Sequence, residues 1–407
     1  MRIAPFSLLA LALLAAPRPG GGAAAQVPDV IRIGVLSDMT GPYADLAGNG
    51  SVIAARMAAE DFADEAGAGG PKVEILAADQ LNKPDVGAAI VRAWIDRDNV
   101  AAVVDVPNST VALAVNQVLR EKDRTFLASS PATSDLTGKQ CSPDTVQWVF
   151  DTWALAHGTA RAVVAGGGRS WFFLTADYAF GQALERDASA EVKRVGGEIR
   201  GDVRAPLNTH DFSSYLLQAQ NSGAEVVALA NAGADAVNAA KQAAEFGLTR
   251  SGKQRLVGLL LFLTDIDALG LADAQGLLLT EAFYWDLNDK TRAWSQRFAA
   301  RDGGRMPTMD QAGVYSSVLA YLHAAQAAHS VVGHEVVAQM KRTPIDDPLF
   351  GPTTIRADGR AVHAMYLFQV KSPAESKGRW DDYTLVATIP AAEAFRPLAE
   401  GGCPLVP

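Results

Sequence analysis

The feature that most limits the fold is a repeated alternation of short apolar runs with longer amphipathic ones. Residues 31–36, 73–76, 101–104 and 125–127 are short β-type runs. Between them, 51–66, 85–97 and 111–121 repeat apolar residues at helical spacing. Short strands separated by helices mean βαβ units and a parallel sheet. The rhythm then restarts, with strands at 171–174, 198–200, 226–229 and 256–259 and helices at 179–195, 212–222 and 234–246. Two such series predict two doubly wound α/β lobes. The tail differs: helices at 290–301 and 311–329 precede alternating runs at 364–370 and 383–389. These predict an antiparallel finish that completes both sheets without a third domain.

Size and charge agree with this. A chain of 407 residues exceeds what one core usually organises. With 45 Asp and Glu against 36 Lys and Arg, the net charge is −9. A general nucleic-acid binder needs a basic face to neutralise phosphate, so that class is excluded.

The first twenty-five residues read as a secretory signal, residues 1–25. Arg2 is followed by an apolar stretch from Phe6 to Pro17 and by Ala23-Ala24-Ala25, a small-residue exit suited to cleavage before Gln26. Loss of Arg2 and Arg18 leaves 34 basic against 45 acidic residues, or −11. The expected location is the periplasm. Cys141 and Cys403 are the only two cysteines, and an oxidising compartment permits their pairing. A disulfide tying the C-terminal tail to the Cys141 loop is therefore expected.

Motifs of common α/β enzymes are missing. The first strand leads into Gly34-Val35-Leu36-Ser37-Asp38-Met39, which is not a dinucleotide-binding fingerprint. No phosphate-binding Walker sequence or G-x-S-x-G elbow occurs. His157, His210, His323, His329, His334 and His363 show no zinc-ligand spacing. The reading is a non-enzyme with no cofactor and no metal.

The turns after the strands are more informative. In doubly wound sheets, ligands sit beyond the carboxyl ends of the strands. There the chain places 38–45, which includes Tyr43; Pro107-Asn108-Ser109-Thr110; Ser129-Ser130-Pro131-Ala132-Thr133-Ser134; Asp177-Tyr178-Ala179-Phe180-Gly181; and Asn231-Ala232-Gly233. Hydroxyls and free N–H groups at helix starts form carboxylate traps. Ordinary helix capping gives the same pattern at any one turn, but recurrence on successive strand ends of one lobe points to a binding edge.

These stretches, with Leu136-Thr137, Asp211-Phe212-Ser213-Ser214 and residues 243–248, make the chain resemble a known family. It is similar to type I periplasmic solute-binding proteins of the branched-chain amino acid (Leu/Ile/Val-binding) ABC-transporter group. The resemblance implies two α/β lobes joined by three hinge crossovers, the type I periplasmic binding protein fold. Lobe 1 would comprise 26–150 plus 283–350, and lobe 2 would comprise 151–282 plus 351–407. It also implies a monomer that closes on a small solute and delivers it to an ABC permease/ATPase complex. A periplasmic sensing module for a signalling receptor is the alternative.

By position, Ser109 matches the hydroxyl that grips an amino acid's carboxylate. Asn108, Ser130, Pro131, Ala132 and Thr133 belong to the same rim, and Tyr43 to Leu46 to its first-lobe edge. Tyr178, Phe180, Asn231 and Ala232 match second-lobe contacts. One departure stands out. Amino-acid binders place an acid after a second-lobe strand to pair with the α-ammonium, and the aligned spot here is Phe262, with Asp265 three residues on. A buried ammonium without a counter-charge is costly. Trp285, and Trp153 near a crossover, add aromatic bulk to the expected cleft. The expected solute is a small carboxylate with an apolar or aromatic body, amino acid-like or an aromatic acid.

Overall fold

The computed structural model describes residues 28–248 and 252–406. The expected signal segment and its cleavage point lie outside the described residues.

Five parallel strands form the first sheet: β1 (Val30–Ser37), β2 (Lys72–Asp79), β3 (Ala102–Asp105), β4 (Thr125–Ala128) and β5 (Thr145–Gln147), in the order β2-β1-β3-β4-β5. The second sheet holds β6 (Ser170–Ala176), β7 (Glu198–Ala205), β8 (Val226–Ala230) and β9 (Arg255–Gly258), in the order β7-β6-β8-β9 and also parallel. Every residue of β3, β4, β6 and β8 is buried. Helices cover both faces of a parallel sheet, so its inner strands read as unbroken apolar runs and not as alternation. The edge strand β7 does alternate.

The later strands depart from expectation. β10 (Leu278–Glu281), β14 (Met365–Val370) and β15 (Tyr383–Ile389) form an antiparallel sheet of their own. β11 (Ile345–Asp347), β12 (Gly351–Ile355) and β13 (Ala361–Val362) form another. Neither extends a parallel sheet as a laddered strand. Antiparallel partners can be joined by tight turns, whereas a parallel addition needs a long crossover that the tail does not contain.

Packing assigns these pieces. Leu279, Phe368, Val370 and Tyr383 join a core with Phe172, Leu174 and Leu229 of the second lobe. The helix Met309–Ala328 lies against Gly48–Ala66 of the first lobe, buried on nearly every side. A helix apolar all round needs such a position. Residues 351–362 were grouped with lobe 2 in the sequence reading, but they sit beside β5. Gln147 N donates to Gly359 O at 2.9 Å, and buried Arg360 Nη1 donates to Phe150 O at 2.9 Å. The C-terminal tail also returns to the first lobe. Arg356 Nη1 donates to Arg396 O at 2.7 Å, Arg396 Nη2 donates to Ser134 O at 3.0 Å, and Cys141 and Cys403 form a disulfide with Cα atoms 5.7 Å apart. The chain therefore passes between lobes near 148–152, 282–288 and 363–364, and a fourth time near Pro390.

Candidate ligand-binding cleft

Both parallel sheets change direction of strand order, at β1/β3 and at β6/β8. The carboxyl ends of the strands at these points face each other across a small cavity. Tyr43 and Leu46 follow β1, Pro107 follows β3, and Ser130 and Ala132 follow β4. From the other lobe come Tyr178 and Phe180 after β6, Ala232 after β8, and Leu260 and Phe262 after β9. Asp310, in the first turn of Met309–Ala328, completes the lining. The walls are packed nearly together: the space left between them is about 20 Å³, room for little more than a water molecule.

Local chemistry sets each wall. Asp38, at the end of β1, accepts Gly41 N at 2.7 Å on Oδ1, and Tyr43 N at 3.0 Å and Asn82 Nδ2 at 2.8 Å on Oδ2. A Cβ on Gly41 would lie 2.6 Å from that carboxylate, which is why the turn needs glycine there. The result is a tight loop that aims Tyr43 into the cleft. Beyond β3 the backbone is left-handed at Asp105 (φ 81°) and Val106 (φ 65°). Such positions cost about 1–3 kcal/mol each and gather at functional sites. Tyr178, Ala232 and Phe262 are helix N-cap residues, so three helix starts point their partial positive charge at the cavity.

The lobes touch. The hydroxyls of Tyr43 and Tyr178 share a hydrogen bond across the cleft, and burial pushes both phenols above their ordinary range. Ala234 N donates to Pro42 O at 3.1 Å. Further along the seam, Asp187 Oδ2 accepts Ser134 Oγ at 2.7 Å and Thr152 Oγ1 at 2.6 Å, while Arg186 Nη2 donates to Ser134 Oγ at 2.8 Å. This is a closed arrangement.

One buried acid, Asp310, lines the cleft, and others stand behind it. Asp105 is fully buried, with burial raising its pKa to about 6, and its Oδ1 accepts the Ser130 hydroxyl. Asp310 is 1% exposed, and neither of its carboxylate oxygens has a hydrogen-bond partner. Ser130 stands near both, but a hydroxyl has a single hydrogen, and it goes to Asp105. Burial, together with Asp105, Glu281 and Asp265, drives the Asp310 carboxyl well above the carboxylate range. Glu281 accepts the Tyr383 hydroxyl at 2.8 Å, and burial lifts it to about 8. Among the described residues, no Lys, Arg or His lines the cavity.

Of the residues singled out from sequence, the cavity gathers Tyr43, Ser130, Ala132, Tyr178, Phe180, Ala232 and Phe262. The others lie behind or away from it. Asn108 caps its helix, accepting Thr110 N at 3.0 Å and Val111 N at 3.2 Å on Oδ1. Ser109 Oγ accepts Thr133 N at 3.3 Å, and Thr133 Oγ1 in turn accepts Asp135 N. The carbonyl of Pro131 accepts Gln147 Nε2 at 2.9 Å. Asn231 is buried, and its Nδ2 donates to Asp235 O at 3.5 Å. Trp285 Nε1 donates to Trp380 O at 2.6 Å, which is crossover packing. Trp153 stacks on His157, ring centroids 4.4 Å apart, in an outer groove with Glu191 and Phe395. Asp265 caps its own helix, taking Phe262 N at 3.0 Å. Asp235 reads from the sequence as a solvated helix start more than as a cleft residue, but it is buried and accepts Asn208 N at 3.0 Å.

Sequence reasoning missed Asp310. The available signal was Thr308-Met309-Asp310-Gln311, polar residues opening a helix too apolar to be anywhere but inside. Thr308 and Gln311 are explained by a reciprocal cap, with Thr308 N donating to Gln311 Oε1 at 3.0 Å. Asp310 is left over. One other cluster, Asp123, Asp144 and His334, brings three metal-capable groups within 4.8 Å at the far side of the first lobe. There the His334 ring N–H donates to Asp123 Oδ2 at 2.9 Å, an ordinary partly exposed ion pair.

The sequence matches the model of the family described as periplasmic binding protein over residues 30–379. The chain belongs to the periplasmic binding protein family. Its members are solute binders and not enzymes. A periplasmic binding protein from Burkholderia mallei is 46% identical, with a TM-score of 0.89 over 93% of this chain and 99% of that one. A branched chain amino acid ABC transporter periplasmic ligand-binding protein from Burkholderia xenovorans is 40% identical, with a TM-score of 0.81 over 93% of this chain and 100% of that one. Among curated proteins, Leu/Ile/Val-binding protein homolog 6 of Brucella melitensis is 28% identical over 263 residues. That match spans 63% of this chain and 65% of the relative's length. No helix among the described residues is long and apolar enough to cross a membrane.

Proposed function

We propose that this periplasmic binding protein is the solute-receiving component of an ABC importer, working in the periplasm. It encloses a compact solute with an apolar or aromatic body, amino acid-like or an aromatic acid. The observation that carries this reading is the cleft itself, lined from both lobes at the carboxyl ends of their strands and bridged by Tyr43 and Tyr178. Open lobes admit the solute, and closure completes the wall with Tyr178, Phe180, Ala232 and Phe262. A solute stabilises that state only through its higher affinity for it. The closed form then docks on a membrane permease, and ATP is hydrolysed elsewhere.

The carboxylate end of the solute lies toward Ser130–Ala132 and the converging helix starts, the positive ends of three macrodipoles. The apolar body lies against Leu46, Phe180, Leu260 and Phe262. A thermal-shift screen of amino acids, aliphatic acids, aromatic acids and amides tests the reading. A solute at about 100 times its Kd adds about 2.7 kcal/mol of stability. Absence of any shift across all four classes would sink it.

A further inference from the structure

We propose that the Cys141–Cys403 disulfide holds in place an inter-lobe latch centred on Ser134, so that a dithiol reductant that opens the bond loosens closure and weakens capture of every solute alike. The proposal goes beyond the solute reading and rests only on its hinge closure.

The latch lies outside the solute cavity, whose lining includes none of its residues. Ser134 opens a short helical turn, Ser134–Thr137, on the first lobe and is fully buried. Its hydroxyl donates to Asp187 Oδ2 at 2.7 Å and accepts Arg186 Nη2 at 2.8 Å, both from the second-lobe helix Ala179–Arg194. Its N donates at 3.2 Å to Thr152 Oγ1, beside the first crossover, and that hydroxyl donates to the same Asp187 oxygen at 2.6 Å. Arg186 Nη1 also stands 3.4 Å from Asp135 Oδ1. Only 8% of the Asp187 side chain is exposed. Hydrogen bonds to a charged group are stronger than neutral ones, and a shielded carboxylate that loses its donors is costly. Separating the lobes breaks this set, so it favours closure whatever the solute.

The tail fixes the first-lobe half of the latch. Ser134 O accepts Arg396 Nη2 at 3.0 Å, and Arg356 Nη1 holds Arg396 O at 2.7 Å. Gly401 O comes so close to Gly138 that a Cβ there would lie 2.9 Å from it. Cys403 then bonds to Cys141, in the loop that follows the turn. One tail therefore clamps that loop at both ends. Both cysteines are 4% exposed, but Gln140 and Gly402 beside them are exposed, which gives a small reductant access. Reduction breaks the Sγ–Sγ bond: two electrons and two protons from the dithiol leave two thiols here and a disulfide on the reductant. The turn carrying Ser134 then loses its covalent hold.

Small-angle scattering of the solute-free full chain, with and without dithiothreitol, tests this. Reductant should expand the parent, and Ser134→Ala should expand it without reductant. The variant should then respond little to reductant, because the bond acts through that residue. Calorimetry with the solutes that shift the parent's melt should show each bound about tenfold more weakly by Ser134→Ala, their order of affinity unchanged. Asp187→Asn keeps the shape, removes the charge and should act in the same uniform way. Thermal melts establish that each variant and the reduced protein are folded at the assay temperature. Parent-like scattering and affinity in folded Ser134→Ala and Asp187→Asn would overturn the latch. So would a loss confined to some solutes, since it would place Ser134 in the solute site. An equal response to reductant in parent and Ser134→Ala would overturn the coupling to the disulfide. Arg396→Ala frees Ser134 O with the bond intact and should give part of the same expansion; no change there would overturn the part given to the tail. Identical scattering under every condition, saturating solute included, would overturn hinge closure itself.

Discussion

Single residues in this protein are decided by burial more than by charge count. Glu281 illustrates this. Its ordinary pKa near 4.5 is raised to about 8 because water cannot reach it, and only the Tyr383 hydroxyl steadies the charged form. Between those two pH values the folded protein holds a proton that the unfolded chain has lost. The contribution is fully present below about pH 4 and disappears as pH rises through about 8. Glu281→Gln should therefore flatten the pH dependence of stability between pH 5 and 8, by up to about 1 kcal/mol per pH unit relative to the parent. Melting temperatures across that range check this, and parallel curves for the two proteins would contradict it. Asp310 shows the limit of reading one residue at a time. Its letter is one of three polar residues at a helix start, and capping absorbs the other two. What separates it is the helix behind it, whose burial on nearly every side leaves no solvent for a carboxylate.

At the scale of elements, the sequence was a good guide to strands and helices and a poorer one to partners. The expected strand at 31–36 is Val30–Ser37, and the expected helix at 179–195 is Ala179–Arg194. Buried parallel strands and amphipathic helices write themselves into periodicity. The antiparallel character of Met365–Val370 and Tyr383–Ile389 was legible for the same reason, but their partner Leu278–Glu281 was not. A four-residue strand has too few side chains to show a period. The cleft was legible as a set of turns, and the cap roles of Asn108 and Asp265 were not separable from ligand roles, because both use the same donor groups. One element start couples fold to closure. Gly233 opens its helix at φ 58°, and a Cβ there would lie 2.4 Å from Pro42 O on the opposite lobe. Gly233→Ala should cost about 1 kcal/mol of lobe stability from the left-handed backbone alone. Its larger effect should be on closure. Small-angle scattering should show an expanded molecule, and solute affinity should fall about tenfold or more, since the Pro42 contact forms only when the lobes meet. Parent-like affinity would show that the lobes close without that contact.

The whole molecule is two lobes that share the chain several times over. Residues 391–403 carry little periodicity of their own, so nothing but the expected disulfide to the Cys141 loop tied the tail to the first lobe, and the rest of 351–407 was assigned to the second. The cysteines were the one readable sign, and Cys141 and Cys403 are joined across 262 positions. Replacing both by Ser should cost about 2–5 kcal/mol, read as a lowered melting temperature that reducing agent reproduces in the parent. A parent melt indifferent to reductant would show that the tail packs well enough without the bond.

That bond also changes what a cut can do. The polypeptide from Cys141 to Cys403 is a covalent ring containing the whole second sheet, the long buried helix and all but the last residues of the tail. A protease that nicks an exposed turn such as 371–379 opens the ring without freeing either piece. The two fragments would travel together through a denaturing gel until a thiol is added, so damage on the surface leaves a single molecule held by one bond.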